Sequence, residues 1–292
     1  MEQSEQLLEK YENDFKKMPK FPDNLDIKVL KSEENLKKLF SFIDLTTLNT
    51  TDSANSVQEF CDKLVSFSKD YPDMPLVGGV CVYSVFASVL KTKLKDLDVK
   101  RAVVSAGFPS SQTFLDLKVQ ETQKALDMGA NEIDIVISVG EFLEGNHEFV
   151  MEEISRIKSI MDEVHLKVIL ETGALESPEN IWEASILAME AGADFIKTST
   201  GKMSPAATPE AVWTMVHAIK AFHSVTGKMI GLKPAGGIST TDDALVYFKI
   251  VSDVLGEEWL TSERFRIGAS RLANNLLADL AELQGRSFEK YF

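Results

Sequence analysis

The feature that most constrains the fold is an alternation that begins near residue 41 and continues almost to the end of the chain. Short apolar, β-branched runs recur at residues 42–44, 77–83, 101–106, 132–138, 166–171, 194–198, 229–233 and 265–269. After them come stretches with helical spacing at 53–69, 84–93, 113–128, 145–163, 178–191, 209–225, 242–254 and 272–283. Apolar runs of about four to eight residues between turn formers read as buried strands, and apolar residues spaced about 3.6 apart read as one face of a helix. Asp52 or Ser53, Ser110 or Ser111, and Thr208 before Pro209 are candidate helix caps, and Gly129 and Gly192 stand where left-handed C-terminal caps belong. Eight strand–helix units without a long linker predict an α/β chain folded as a (β/α)8 TIM barrel. An open doubly wound sheet fits less well, because no Gly-x-Gly-x-x-Gly follows the first strand.

The first 40 residues lie outside this rhythm. Leu7, Leu8, Tyr11 and Phe15 suggest an amphipathic helix, followed by a connection at Phe21-Pro22-Asp23-Asn24 and a second helix near 32–40. The expected organisation is therefore a helical extension over 1–40 packed on the barrel, a (β/α)8 barrel over 41–285, and a short tail over 286–292.

Composition narrows the function classes. A formal net charge of −14 argues against nonspecific nucleic-acid or membrane-surface binding, although a local site on an acidic protein can still be basic. Cys61 and Cys81 are the only cysteines, so no disulfide framework is implied. No apolar run approaches a membrane span, and the charged N-terminus lacks a signal-peptide core. The expected setting is the cytoplasm, and a homo-oligomer is compatible with it.

The chemistry shows in polar residues placed inside apolar strands. The run Asp194-Phe195-Ile196-Lys197-Thr198-Ser199-Thr200-Gly201-Lys202 carries a lysine where burial is expensive without a partner or a task. A second lysine, Lys233, sits in a like setting in Gly231-Leu232-Lys233-Pro234-Ala235-Gly236-Gly237. If Ile133, Ile135 and Ile137 face the helices, Asp134 faces the barrel axis; by the same parity Lys167 and Glu171 point inward. The expectation is a cluster of Asp134, Lys167, Lys197 and Lys233 in the upper barrel, where such folds keep their catalytic groups. Ion pairs that merely fill space are the bland alternative for any one of these residues.

A lysine amine becomes a nucleophile when desolvation or a neighbouring cation strips its proton. Lys197 and Lys233, on adjacent strands, could stand in that relation, with Asp134 moving protons. The neutral amine would condense with a carbonyl, and the resulting iminium would make an adjacent C–C bond cleavable. Gly201-Lys202, Gly236-Gly237 and Gly268-Ala269-Ser270 follow the last three strands, where backbone N–H groups commonly cradle phosphate. Nothing calls for a metal or other cofactor, since His147, His165, His217 and His223 lack metal-ligand spacing. There is neither a Gly-x-Ser-x-Gly turn nor a Walker-type loop.

Together, Asp44-Leu45-Thr46-Thr47-Leu48, Glu132-Ile133-Asp134, Lys167-Val168-Ile169-Leu170-Glu171-Thr172-Gly173, Phe195 through Lys202 and Lys233-Pro234-Ala235-Gly236-Gly237 resemble the deoxyribose-phosphate aldolase family. The resemblance runs in order from about residue 41 through Gly268-Ala269-Ser270. It implies a class I aldolase that reversibly cleaves 2-deoxy-D-ribose 5-phosphate to acetaldehyde and D-glyceraldehyde 3-phosphate, in deoxyribonucleotide catabolism. On that resemblance Lys197 would form the Schiff base, and Asp134 and Lys233 would be its proton-transfer pair. Thr198, Gly201, Lys202, Gly236, Gly237, Gly268 and Ser270 would surround the substrate and its phosphate, with Asp44, Thr46, Cys81 and Lys167 lining the rest.

Two departures stand out. Family members often carry a basic residue where this chain has Ser239, and a small hydroxyl residue where it has Arg271, so Arg271 is expected to supply the displaced charge. The family also often ends in a tyrosine that helps proton transfer; here Tyr291 is followed by Phe292. The competing readings are a Schiff-base aldolase for other short aldehydes or sugar phosphates, and a noncatalytic barrel that binds partners through its N-terminal helices.

Overall fold

The computed structural model describes residues 3–292. Eight parallel strands, each followed by helix, run in the order β7-β6-β5-β4-β3-β2-β1-β8. They are β1 (Ile43–Thr46), β2 (Gly79–Tyr83), β3 (Lys100–Val104), β4 (Glu132–Val136), β5 (His165–Ile169), β6 (Phe195–Lys197), β7 (Gly231–Lys233) and β8 (Ile267–Ala269). Bridges between Leu232 and Phe265 and between Ala235 and Gly268 join the first and last strands of that order, which turns the sheet into a barrel. The expected (β/α)8 architecture is present.

Local chemistry explains where the helices begin. Ser53 caps Ala54–Asp70 with a reciprocal capping box, Ser177 caps Pro178–Glu190, and Thr208 accepts from Ala211 N at 3.1 Å to start Pro209–Thr226. Each such cap contributes about 1 kcal/mol. Ser111 is different: it precedes Leu115–Asp127, but that helix has no side-chain cap, and Ser111 Oγ donates instead to Val136 O at 2.8 Å. A buried carbonyl one strand away outcompetes the local helix end. Short helices at Val139–Leu143 and Thr172–Leu175 lie in loops where only connections were expected.

The apolar residues divide into two compartments. Ile133, Ile135 and Ile137 of β4 and Leu166, Val168 and Leu170 of β5 belong to the large core between strands and helices. A small second cluster of Leu48, Cys81, Ala102 and Val104 fills the barrel interior on the β1–β3 side. The alternation that sends these apolar side chains outward on β4 and β5 leaves the rest of the interior to charged side chains and to Val136, Ile169 and Phe195 beside them.

The N-terminal stretch is helical but broken, into Gln3–Glu9 and Glu12–Lys16. It packs on the barrel wall, with Tyr11 donating to Glu190 at 2.7 Å, Phe15 against Trp182, and Trp213 donating to Pro19 O at 2.8 Å. A further helix, Glu33–Ser41, buries Leu36, Leu39 and Phe40 and runs directly into β1.

Candidate active site

At the C-terminal ends of the strands a cleft of about 200 Å³ opens between the loops after β1, β6, β7 and β8. Thr46, Leu48 and Asn49 form one side, Thr200, Gly201 and Lys202 another, and residues 235–238 and 268–271 the rest. Lys197, the last residue of β6, lines its floor and is 3% exposed.

Beneath that floor lies a continuous array of charges, each fully buried. Asp134 is the hub: its Oδ2 accepts from Lys197 at 2.8 Å and from Lys233 at 2.7 Å, while its Oδ1 accepts from Lys167 at 3.2 Å. Lys233 also pairs with Asp44, and Lys167 with Glu132. Below these, Arg266 meets Asp44 through Nη1 at 2.5 Å and Glu132 through Nη2 at 3.1 Å. Strand register explains the layering, since Lys197 stands opposite Lys233 on β7 and Asp134 opposite Lys167 on β5.

The electrostatics separate the three lysines. Burial opposes charge on Lys233, yet Asp134 and Asp44 outweigh it and hold its pKa well above the usual lysine value. Lys167 is raised in the same way by Asp134 and Glu132. Lys197 goes the other way: burial depresses its pKa, and Lys233 adds to the depression against the pull of Asp134. Asp134 is held well below the ordinary carboxylate range because three lysines together outweigh the cost of burying it. The lysine that touches the cleft is thus the one that releases its proton most readily, while its neighbours stay charged.

The other candidate residues fall into distinct places. Thr46, Gly201, Lys202, Gly236, Gly237, Gly268 and Ser270 line the cleft, as does Arg271. Gly236 (φ +88°) is required there, because a Cβ would stand 2.7 Å from Ala206 Cβ and 3.1 Å from Gly201 Cα. Asp44 and Lys167 lie in the charged layer below rather than in the cleft wall. Cys81 is buried in the apolar half of the interior, its thiol pushed up to about 11 by burial. Thr198 Oγ1 is occupied by the backbone of Ala235, from whose N it accepts at 3.0 Å, so it ties β6 to β7. Lys202 donates to Leu48 O across the mouth of the cleft.

Two expectations do not hold. Glu171 leaves the inward parity of β5: it takes a left-handed conformation (φ 55°) just beyond the strand, and its carboxylate accepts from Thr200 N at 3.2 Å and from Thr200 Oγ1. It braces the β6 loop from outside the lysine cluster. Tyr291 does not reach the cleft. Its hydroxyl donates to Asp70 at 2.6 Å, at the end of the helix Ala54–Asp70, on the outer wall of the barrel. Asn274 holds the tail there, accepting from Tyr291 N and Phe292 N and donating to Phe292 O.

Glu132 and Arg266 had no assigned role in the sequence reading, although both carried a signal. Glu132 shares the inward parity of Asp134, and Arg266 interrupts the apolar run Phe265-Arg266-Ile267 as Lys197 interrupts its own.

The chain is similar to known proteins over most of its length. The model of the DeoC/LacD family aldolases matches residues 38–251. The deoxyribose-phosphate aldolase of Homo sapiens is 40% identical over 251 residues, covering 82% of this chain and 79% of that one. That of Bos taurus is also 40% identical, over 255 residues, covering 84% and 79%. Among solved structures, the tetrameric deoxyribose phosphate aldolase from Aeropyrum pernix superposes with a TM-score of 0.68 at 25% identity, covering 88% of this chain and 98% of that one. With a barrel of this topology and a family model spanning most of its length, the chain belongs to the DeoC/LacD family of aldolases.

Proposed function

We propose that the protein is a class I aldolase that reversibly cleaves 2-deoxy-D-ribose 5-phosphate to acetaldehyde and D-glyceraldehyde 3-phosphate, with Lys197 as the Schiff-base lysine. The observation that carries this reading is the contrast among the buried lysines: the one that lines the cleft is the one whose pKa is depressed. In its neutral form Lys197 attacks C1 of the open-chain sugar, giving a carbinolamine and, after loss of water, a protonated imine. The imine draws electrons from the C2–C3 bond as a proton leaves the C3 hydroxyl. D-glyceraldehyde 3-phosphate departs, and the remaining enamine takes a proton at C2 before water releases acetaldehyde. Asp134, which contacts both Lys197 and Lys233, is suited to pass protons between them and the bound intermediate.

The substrate phosphate fits the far wall of the cleft. The helix Arg271–Leu283 starts there without a side-chain cap from Ser270, so its first N–H groups are free to meet an anion. Lys202 and Arg271 add charge beside the glycine turns. Deoxyribonucleotide catabolism as the pathway and the cytoplasm as the compartment belong to the same proposal. Self-association belongs to the same reading: the Aeropyrum pernix relative is tetrameric, and here Val85 and Phe114 are 75% and 76% exposed.

The test is covalent trapping. Incubation with acetaldehyde and cyanoborohydride should add one ethyl group, found on Lys197 by peptide mapping, and Lys197→Leu should abolish both the adduct and sugar cleavage. An adduct on another lysine, or cleavage that survives the substitution, would refute the assignment.

A further inference from the structure

The charges under the cleft do not balance. Four cations, Lys167, Lys197, Lys233 and Arg266, share three carboxylates, Asp44, Glu132 and Asp134, all within the buried interior. An isolated excess charge is costly in such a place. The guanidinium of Arg266 does not deprotonate, Lys167 contacts three carboxylates and Lys233 two. Lys197 contacts Asp134 alone. Neutrality is reached when Lys197 gives up its proton.

We propose that Arg266 and Glu132, at the base of the barrel, are positioning residues that tune the protonation of Lys197 in opposite directions through Asp134. The proposal rests on the reading of Lys197 as the Schiff-base lysine. Two routes lead from them to the cleft. Along the first, Arg266 occupies Oδ1 of Asp44, whose Oδ2 faces Lys233, and Lys233 in turn shares Oδ2 of Asp134 with Lys197. Removing Arg266 leaves Asp44 to Lys233, loosens Lys233 from Asp134 and turns Asp134 toward Lys197, which then keeps its proton. Along the second, Glu132 holds Lys167, whose other partner is Asp134 Oδ1. Removing Glu132 draws Asp134 toward Lys167 and away from Lys197, which then loses its proton more easily. Plain electrostatics points the same way, since deleting a cation raises the pKa of a nearby amine and deleting an anion lowers it.

The surroundings are built to keep these residues in place. A Cβ on Gly79 would stand 2.8 Å from Asp44 Oδ1 and 3.1 Å from Arg266 Nη1, so the bare backbone of β2 makes room for the pair. The Arg266 Nε also donates to Ser262 O. The groups facing Lys197 are Asp134 from β4, Lys233 from β7 and Cys81 from β2, with Lys167 and Asp44 in the next layer. His165, the first residue of β5, approaches Glu132 at 3.7 Å, and Glu263 lies near Arg266. Apart from Glu132 and Arg266 themselves, none of these groups is altered in the test.

The experiment follows the rate of cyanoborohydride trapping of acetaldehyde on Lys197 against pH in the full-length protein. In the unsubstituted protein the rate rises with pH as Lys197 deprotonates, which defines a midpoint. Arg266→Gln should move that midpoint up and Glu132→Gln should move it down, each by on the order of one pH unit. Arg266→Lys, which keeps the charge, should restore the original value. Unmoved midpoints, or shifts of the same sign, overturn the proposal while leaving Lys197 as the nucleophile; absence of any adduct on Lys197 in the unsubstituted protein overturns the underlying reading instead. Should Arg266→Gln fail to fold, Glu132→Gln decides alone, since a purely structural role would lower its melting temperature without shifting the midpoint downward.

Discussion

Two sets of buried charges adjoin β4, and they differ in one respect that decides what each can do. Outside the strands, Lys118 meets Glu153 one to one, and both side chains are essentially inaccessible. Lys118 spends all three protons, on Glu153, on Ser111 Oγ at 2.6 Å and on Ser138 Oγ at 2.9 Å. Glu153 accepts in addition from Ser138 N at 3.1 Å. That set is closed: every donor has an acceptor, and it ties the loops after β3 and β4 together. Inside the strands, four cations divide three carboxylates, and the cation with the fewest partners is the one at the cleft. Completeness makes an ion pair a fastener, whereas a shared shortage leaves a proton that can move.

The sharpest break in this comparison is Asp134→Asn. It removes the carboxylate that three lysines share and should lower kcat/KM by about 10²- to 10⁴-fold, the usual worth of a proton-transfer group. Steady-state cleavage rates on protein that passes a circular-dichroism check measure it. Activity within a few-fold of the parent would mean that the hub organises the barrel but takes no part in the chemistry.

The closed pair should respond in the other currency. Lys118→Met strands Glu153 in an apolar wall and should cost about 3–5 kcal/mol of stability. The pH midpoint for trapping on Lys197 should stay where it was. Chemical denaturation measures the first and trapping the second. A midpoint that shifts would show that the two sets communicate across β4.

How much of this was legible beforehand follows from the range of each interaction. Strand parity is a local property, so Asp134, Lys167, Lys197 and Lys233 could be placed inward from their neighbours alone. The same rule misplaced Glu171, because one left-handed residue at the end of β5 breaks the alternation, and its partner Thr200 is 29 residues away. Glu132 and Arg266 obeyed the parity, but their meaning depends on a contact spanning 134 residues. Ser111 looked like a cap because the competing carbonyl of Val136 is distant in sequence. Tyr291 was separated from the cleft by a tertiary choice: Phe67, Tyr71 and Phe292 form an aromatic nest for it on the outer wall of the barrel. A short tail's docking site is not written in its own residues.

Arg271 belongs to neither set, and it provides the smallest and most selective test. It lines the cleft and, among the described residues, forms no ion pair. Ser239, where a basic residue was expected, is taken up in the start of the helix Thr241–Leu255, with its N–H donated to Asp243 at 3.1 Å and its carbonyl accepting from Asn275 at 2.7 Å. On the proposed function, the positive charge for the substrate phosphate comes from Lys202 and Arg271. Lys202 is partly engaged by Leu48 O, which leaves Arg271 as the freer of the two. A charged hydrogen bond to a ligand is worth about 1.5–3 kcal/mol, so Arg271→Ala should raise KM for 2-deoxyribose 5-phosphate roughly 10- to 100-fold. Because Arg271 stands apart from the seven buried charges, kcat and the trapping midpoint should hold, and KM for unphosphorylated 2-deoxyribose should not change. An equal rise for both sugars, or none for either, would remove Arg271 from the phosphate wall and leave the uncapped helix end and the glycine turns to bind the anion.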